Sequence, residues 1–199
     1  MNRTYVSPLR QEQVEATRLR IIEAVARVLA RGVTELSVPA VAQEAGVSVA
    51  TVYRHFKNKQ ELMSGLGRHY AELIGTVDFM YNQRATDLTL DGVIESVQEV
   101  FLRTERLDPT WWAAITSDAA DEYRREHRAE RLQPMENMLR QHLPNIPERD
   151  LKHLRDLLTV LTSSASVRAF GTLVGSSAAE AGETVGWGLR RLFASQSSP

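Results

Sequence analysis

Tyr53, Arg54 and His55, followed by Lys57 and Lys59, place an aromatic ring, a guanidinium, an imidazole and two ammonium groups within seven residues. Cations of this kind neutralise phosphates, while donors and apolar atoms beside them read base edges in a groove. Val52 and Phe56 lie four apart, one helical turn, and suit an inward face. Val49, Ala50, Thr51, Tyr53, Arg54 and His55 are then left on the outward face of the same short helix. A merely solvated helix would carry mostly charges there. This face mixes small, hydroxyl, aromatic and cationic groups, a composition suited to lying against DNA.

Other chemistry finds less support. His127, His142 and His153 are not paired at i, i+4, and no His-Glu-x-x-His occurs. Asp118, Asp121 and Glu122 sit where a helix start favours acids. The alternating charges from Asp121 to Arg131 read as a solvated face. There is no Gly-rich phosphate loop and no Gly-x-Ser-x-Gly elbow. The absence of cysteine removes disulfides, thiolate zinc sites and thiol nucleophiles together. The expectation is a protein that is not an enzyme, with no catalytic residues, no metal and no cofactor.

The candidate face needs elements to hold it. Ser37 is an N-cap residue type, and Pro39 falls in a first turn, where its missing N–H costs nothing. Val38, Val41, Ala42 and Ala45 share one side of a helix over 38–45. Ala42 is small, as closely crossing helices require. Gly46 follows, where the chain must turn sharply and a positive φ is cheapest. Val47 plugs the corner, and Ser48 caps the second helix over 49–55. Asn58 and Glu61 read as a capping pair for the next helix. The spacing Ala42, Gly46, Val52 is that of a DNA-reading helix-turn-helix.

The rest of the chain also reads as helix, because no segment alternates apolar and polar residues long enough to suggest a strand. A first helix over 13–31 carries Ile22, Val25, Ala26 and Leu29 and stops at Gly32. Further helices are expected over 59–81, from about 91, from Pro109, over 119–143, over 148–174 and over 178–194. A loop is expected over 82–87. Pro134 should kink or split the helix that contains it. Leu143-Pro144-Asn145-Ile146-Pro147 is the clearest break, Gly175-Ser176-Ser177 separates the last two helices, and 195–199 should fray.

Gly46-Val47-Ser48, with Thr51-Val52-Tyr53-Arg54-His55-Phe56-Lys57-Asn58-Lys59-Gln60-Glu61-Leu62, closely resembles the signature of TetR-family transcriptional regulators. The resemblance is specific over about residues 14–65. It implies an all-α homodimer: an N-terminal three-helix DNA-binding domain with a helix-turn-helix, then a larger helical domain for ligand binding and dimerisation. By position, Ser37 and Ser48 resemble phosphate-contacting caps. Thr51, Tyr53 and His55 resemble residues that touch the backbone or bases, and Lys59 resembles a phosphate contact. Val49 departs from the family, where this position is often polar or basic, and limits base readout there to a thymine methyl.

Charge patterning agrees. Residues 1–60 hold nine Lys/Arg and five Glu, net +4, whereas 61–199 hold fifteen Lys/Arg and twenty Asp/Glu, net −5. Only the first third is suited to a polyanion. Two domains follow, 1–60 for DNA and 61–199 for effector and dimer. The longest unbroken apolar run, Trp111 to Ile115, is too short to cross a bilayer, and the first ten residues lack an apolar signal core. A cytoplasmic protein with no membrane partner is expected.

Two further sets complete the expectations. Phe79, Phe101, Trp111, Trp112, Ile115, Tyr123, Met135 and Met138 are candidate walls of an effector pocket, apolar and without excess cations. Leu154, Leu157, Leu158, Leu161, Ala165, Phe170, Val185, Leu189, Leu192 and Phe193 form wide apolar stripes suited to a four-helix homodimer interface. The functional expectation is a repressor released from double-stranded operator DNA by a small hydrophobic or amphipathic effector. A ligand-free helical DNA-binding protein, or an α-helical enzyme, is the alternative.

Overall fold

The computed structural model describes residues 8–77 and 89–196. Among them there are eleven α-helices and no strand. In chain order these are α1 (Pro8–Ala30), α2 (Val38–Ala45), α3 (Val49–His55), α4 (Lys59–Ile74), α5 (Leu90–Glu105) and α6 (Pro109–Ile115). They continue as α7 (Asp118–Glu126), α8 (Arg128–His142), α9 (Glu148–Leu161), α10 (Ser164–Ala169) and α11 (Ala178–Gln196). The helix expected over 59–81 ends at Ile74 in α4, and the loop expected over 82–87 lies outside the described residues.

The described chain divides into two compact units, and they are not the two consecutive stretches 1–60 and 61–199. The first takes residues 8–70 together with Asp108–Glu126; the second takes 71–77, 89–107 and 127–196. Long-range packing explains the difference. Ala114 and Ala120, on α6 and α7, are buried in one cluster with Ile21, Val25 and Leu29 of α1, Val41 of α2 and Val52 of α3. Nothing local in the sequence announces that partnership.

In the first unit the signals that shape α2 and α3 are local. The Ser37 hydroxyl accepts from the Ala40 N–H at 3.5 Å, and the Ser48 hydroxyl accepts from the Thr51 N–H at 3.1 Å. Gly46 has φ 64°, left-handed, and its N–H donates to the Gln43 carbonyl while that of Val47 donates to Ala42. This is the paired closure that satisfies the last carbonyls of a helix. Val52 and Phe56 are buried to 1% exposure or less. Gly65 of α4 lies so close to Phe56 and Ile22 that an added Cβ would sit 2.9 Å from the Phe56 ring and 2.7 Å from Ile22.

The second unit departs from the expected helix ends. The segment over 119–143 does not split at Pro134, which lies buried inside α8 with Met135, Met138 and Leu139. The break falls at His127 instead. Burying three large side chains outweighs the one backbone hydrogen bond that proline removes. The single helix expected over 148–174 is divided at Thr162 and Ser163, and α10 runs on into a wider π-type turn, Phe170–Val174. The Thr162 and Ser163 hydroxyls donate to the Leu158 and Val160 carbonyls, and such local bonds compete with helix continuation. α11 opens with a full capping box. The Glu180 carboxylate accepts from the Ser177 N–H at 2.9 Å, and the Ser177 hydroxyl accepts from the Glu180 N–H at 3.3 Å.

Candidate nucleic-acid interface

α3 is seven residues long and amphipathic in an uncommon sense. Its inward side is Val52. Its outward side leaves Val49 39% exposed and Tyr53 50% exposed, with Ala50 and Arg54 exposed and Thr51 and His55 half-buried. Lys57 and Lys59 follow, both exposed. Nine of the ten expected DNA residues lie over 48–59, all exposed or half-buried, and the tenth, Ser37, is the exposed cap of α2.

Charged residues that the sequence reading did not single out shape this surface and the helices behind it. Arg18 of α1 donates from Nη1 to the His55 carbonyl at 3.2 Å, and its guanidinium lies 4.3 Å from the centre of the Phe56 ring. It caps the negative end of α3 and clamps that helix to α1. Glu35 forms an ion pair with the Lys59 ammonium. Glu44 of α2 receives Arg27 Nε of α1 at 2.7 Å and also pairs with Arg31, just past the end of α1; these arginines hold its carboxyl below the usual range. Spacing along the chain marks Arg27 and Arg31 as neighbours, but the acid that joins them is seen only when the helices pack.

His55 is held below the ordinary histidine value. Partial burial is the main cause, the neighbouring Arg54 and Arg18 add to it, and Glu15 opposes. A phosphate brought to this corner would act in the opposite direction and favour the cation. At the start of α4 the Asn58 carboxamide oxygen accepts from the Glu61 N–H at 2.8 Å, while the Glu61 carboxylate accepts from the Lys57 N–H at 2.8 Å. The return bond thus lands one residue earlier than in a standard capping box.

A short helix seated by a glycine turn against a second helix, with an outward face of this composition, defines a helix-turn-helix of the class that reads double-stranded DNA. Residues 21–66 match the family model described as bacterial regulatory proteins, tetR family, and this match supports a DNA-binding transcriptional regulator of that kind. No curated protein matches the sequence.

The other two expected sets are distributed differently. Phe79 lies outside the described residues. Trp111 and Tyr123 pack on the core of the first unit, where the Trp111 ring lies 5.1 Å from that of His69. Trp112 is half-buried and Ile115 buried, also in that unit. Phe101, Met135 and Met138 are buried in the second unit. The set is therefore not one wall within either unit, because α6 and α7 are drawn into the first core. The second unit does hold an open groove of about 360 Å³, lined by Ile74, Gly75, Gly92, Glu95, Ser96, Glu99, Val100 and Arg103.

Of the expected interface residues, Leu154, Leu158, Val185 and Leu189 are buried within the chain's own fold. A side chain already withdrawn from water has no further area to give a partner, so these four are core residues. Leu157 and Ala165 are exposed, and Leu161, Phe170, Leu192 and Phe193 are half-buried. The sequence reading missed four exposed apolar residues of this unit: Val160, Leu173 (81% exposed), Val174 and Trp187 (64% exposed). Among the described residues no cluster of three or more His, Asp or Glu could hold a metal ion, and no single helix is long and apolar enough to cross a membrane.

Proposed function

We propose that this regulator is a dimeric repressor whose α3 enters the major groove and whose second unit binds a small hydrophobic or amphipathic effector that releases it. The observation that carries the effector reading is a set of polar atoms in the second unit. Thr104 Oγ1, His142 Nε2 and Thr159 Oγ1 are buried and have no hydrogen-bond partner among the described residues. Such atoms cost roughly 1–3 kcal/mol each unless something meets them, and a ligand with a few polar groups on an apolar body would do so. The dimer reading rests on Leu157, Val160, Leu173, Val174 and Trp187, an apolar exposure unusual for a lone chain. A dimer that presents two α3 helices about 34 Å apart fits successive major grooves. An effector that prefers a conformer with another separation lowers DNA affinity by its differential affinity. The setting is the cytoplasm, where such operators lie.

A ligand-free regulator is the second reading. The complete burial of Phe101 and Leu139 and the openness of the groove favour it. Selection of bound duplexes from random sequence, followed by thermal melts with neutral amphipathic compounds, separates the two. The effector reading expects a compound that raises Tm by several degrees and also releases the selected duplex. Compounds that raise Tm but leave DNA binding unchanged would overturn it. Sedimentation showing a stable monomer at micromolar concentration would overturn the dimer.

A further inference from the structure

We infer that the operator is read chiefly through thymine methyl groups, with Val49, Ala50 and Tyr53 as the reading residues. The inference deepens the proposed docking of α3 and rests on it. The first residues of a recognition helix are those that reach base edges. Here they are Val49 and Ala50, both exposed, and Tyr53 lies one turn further on the same side as Val49. An exposed valine at this point has no solvent role, and the only apolar group that the major groove offers on its base edges is the thymine 5-methyl.

The polar groups nearby are otherwise engaged. The Ser48 hydroxyl accepts from the Thr51 N–H and shares a 2.9 Å hydrogen bond with the Thr51 hydroxyl, so both serve the cap. α3 contains no Asn or Gln to grip adenine and no Asp or Glu to accept from cytosine. Arg54 is the one side chain on α3 whose fork suits guanine, and it lies in the last turn. The apolar readout thus falls to the leading end of the helix, with Arg54 and His55 as guanine-compatible donors at the trailing end. Lys57 and Lys59 beyond it supply charge without sequence information.

The test uses the full chain and a duplex selected from random DNA. Each thymine of one half-site is replaced in turn by deoxyuridine, which lacks only the 5-methyl and keeps the same hydrogen-bonding edge. Burial of one methyl is worth about fourfold in affinity, so one or two positions should each weaken binding about fourfold, and roughly fifteenfold when both half-sites are changed. Val49→Ala, at an exposed position, should fold normally and lose the thymine–uracil difference at one of those positions. Specific binding that is indifferent to every thymine-to-uracil change would overturn the inference while leaving the DNA-binding reading intact. A chain that selects no sequence at all would overturn the docking of α3 and the inference with it.

Discussion

The two units are built from the same element, yet their helices are held in different ways. In the first unit α2 and α3 have eight and seven residues, too short to persist alone. Each is opened by a serine that bonds its own backbone, and a left-handed glycine sets the turn between them. In the second unit α5 and α11 also open on side-chain caps, Thr89 and Ser177, but α8, α9 and α10 begin at His127, Pro147 and Ser163 with no side-chain cap bond. Their order comes from packing and from a charge network: Arg140 donates to Glu148 at 2.7 Å and to Glu136 at 3.0 Å, and Arg155 donates to Glu136 at 3.0 Å. A surface that must present side chains at set angles is built from local, unambiguous signals. A body that must fill space uses whatever long-range partners fit.

Core truncation tests that contrast most severely. Phe56→Ala and Phe101→Ala each remove a ring that is 1% exposed or less, and each should cost about 3–5 kcal/mol. Phe56→Ala also removes the ring under Arg18 and should abolish operator binding; calorimetry and a gel shift read the two effects. Glycine substitutions give the next largest difference. Gly65→Ala drives a methyl into Phe56 and Ile22 and should cost about 1–3 kcal/mol. Gly188→Ala of α11 meets nothing within 4 Å and should instead stabilise by about 0.5–1 kcal/mol in urea melts. If both glycine variants behaved alike, the close packing of Gly65 against Phe56 and Ile22 would not control stability.

Charge changes at the interface should be smaller. Lys59→Ala should weaken binding about tenfold on every sequence and lower the salt slope by about one per protomer. Glu35→Gln should act in the opposite direction, severalfold, because Lys59 no longer has to leave a carboxylate for a phosphate. Equal affinity of both variants and the parent across a salt series would remove Lys59 from the phosphate contacts.

Acid should act through His55 of the first unit in one pH window and through the paired carboxylates, Glu44 of the first unit and Glu136 of the second, in a lower one. His55 is depressed in the folded state, so its contribution is complete above about pH 6.5 and is lost as pH falls through its lower folded value. His55→Gln should flatten that small loss. Glu136 is depressed by Arg140 and then Arg155, so its contribution is present above about pH 4.5 and disappears only further into acid. Melts between pH 7 and 3 that show a single step, unchanged in His55→Gln, would contradict this separation.

Much of the helix-turn-helix was legible in the sequence. Gly46, Ser37, Ser48 and the inward pair Val52 and Phe56 act on neighbours within a turn or two, and their spacing alone determines a helix-turn-helix with 49–55 facing out. Helix content, the Pro147 break and the Gly175 turn are of the same local kind. What only the tertiary structure decided are relations between distant residues. Examples are α6 and α7 joining the first core, Arg18 clasping α3, Glu35 meeting Lys59, and Leu154, Leu158, Val185 and Leu189 being core rather than surface. An apolar stripe states that a face will be buried but not by which partner. That choice is made by the packing of all helices together, since burial energy has no direction and is satisfied by whatever apolar surface fits.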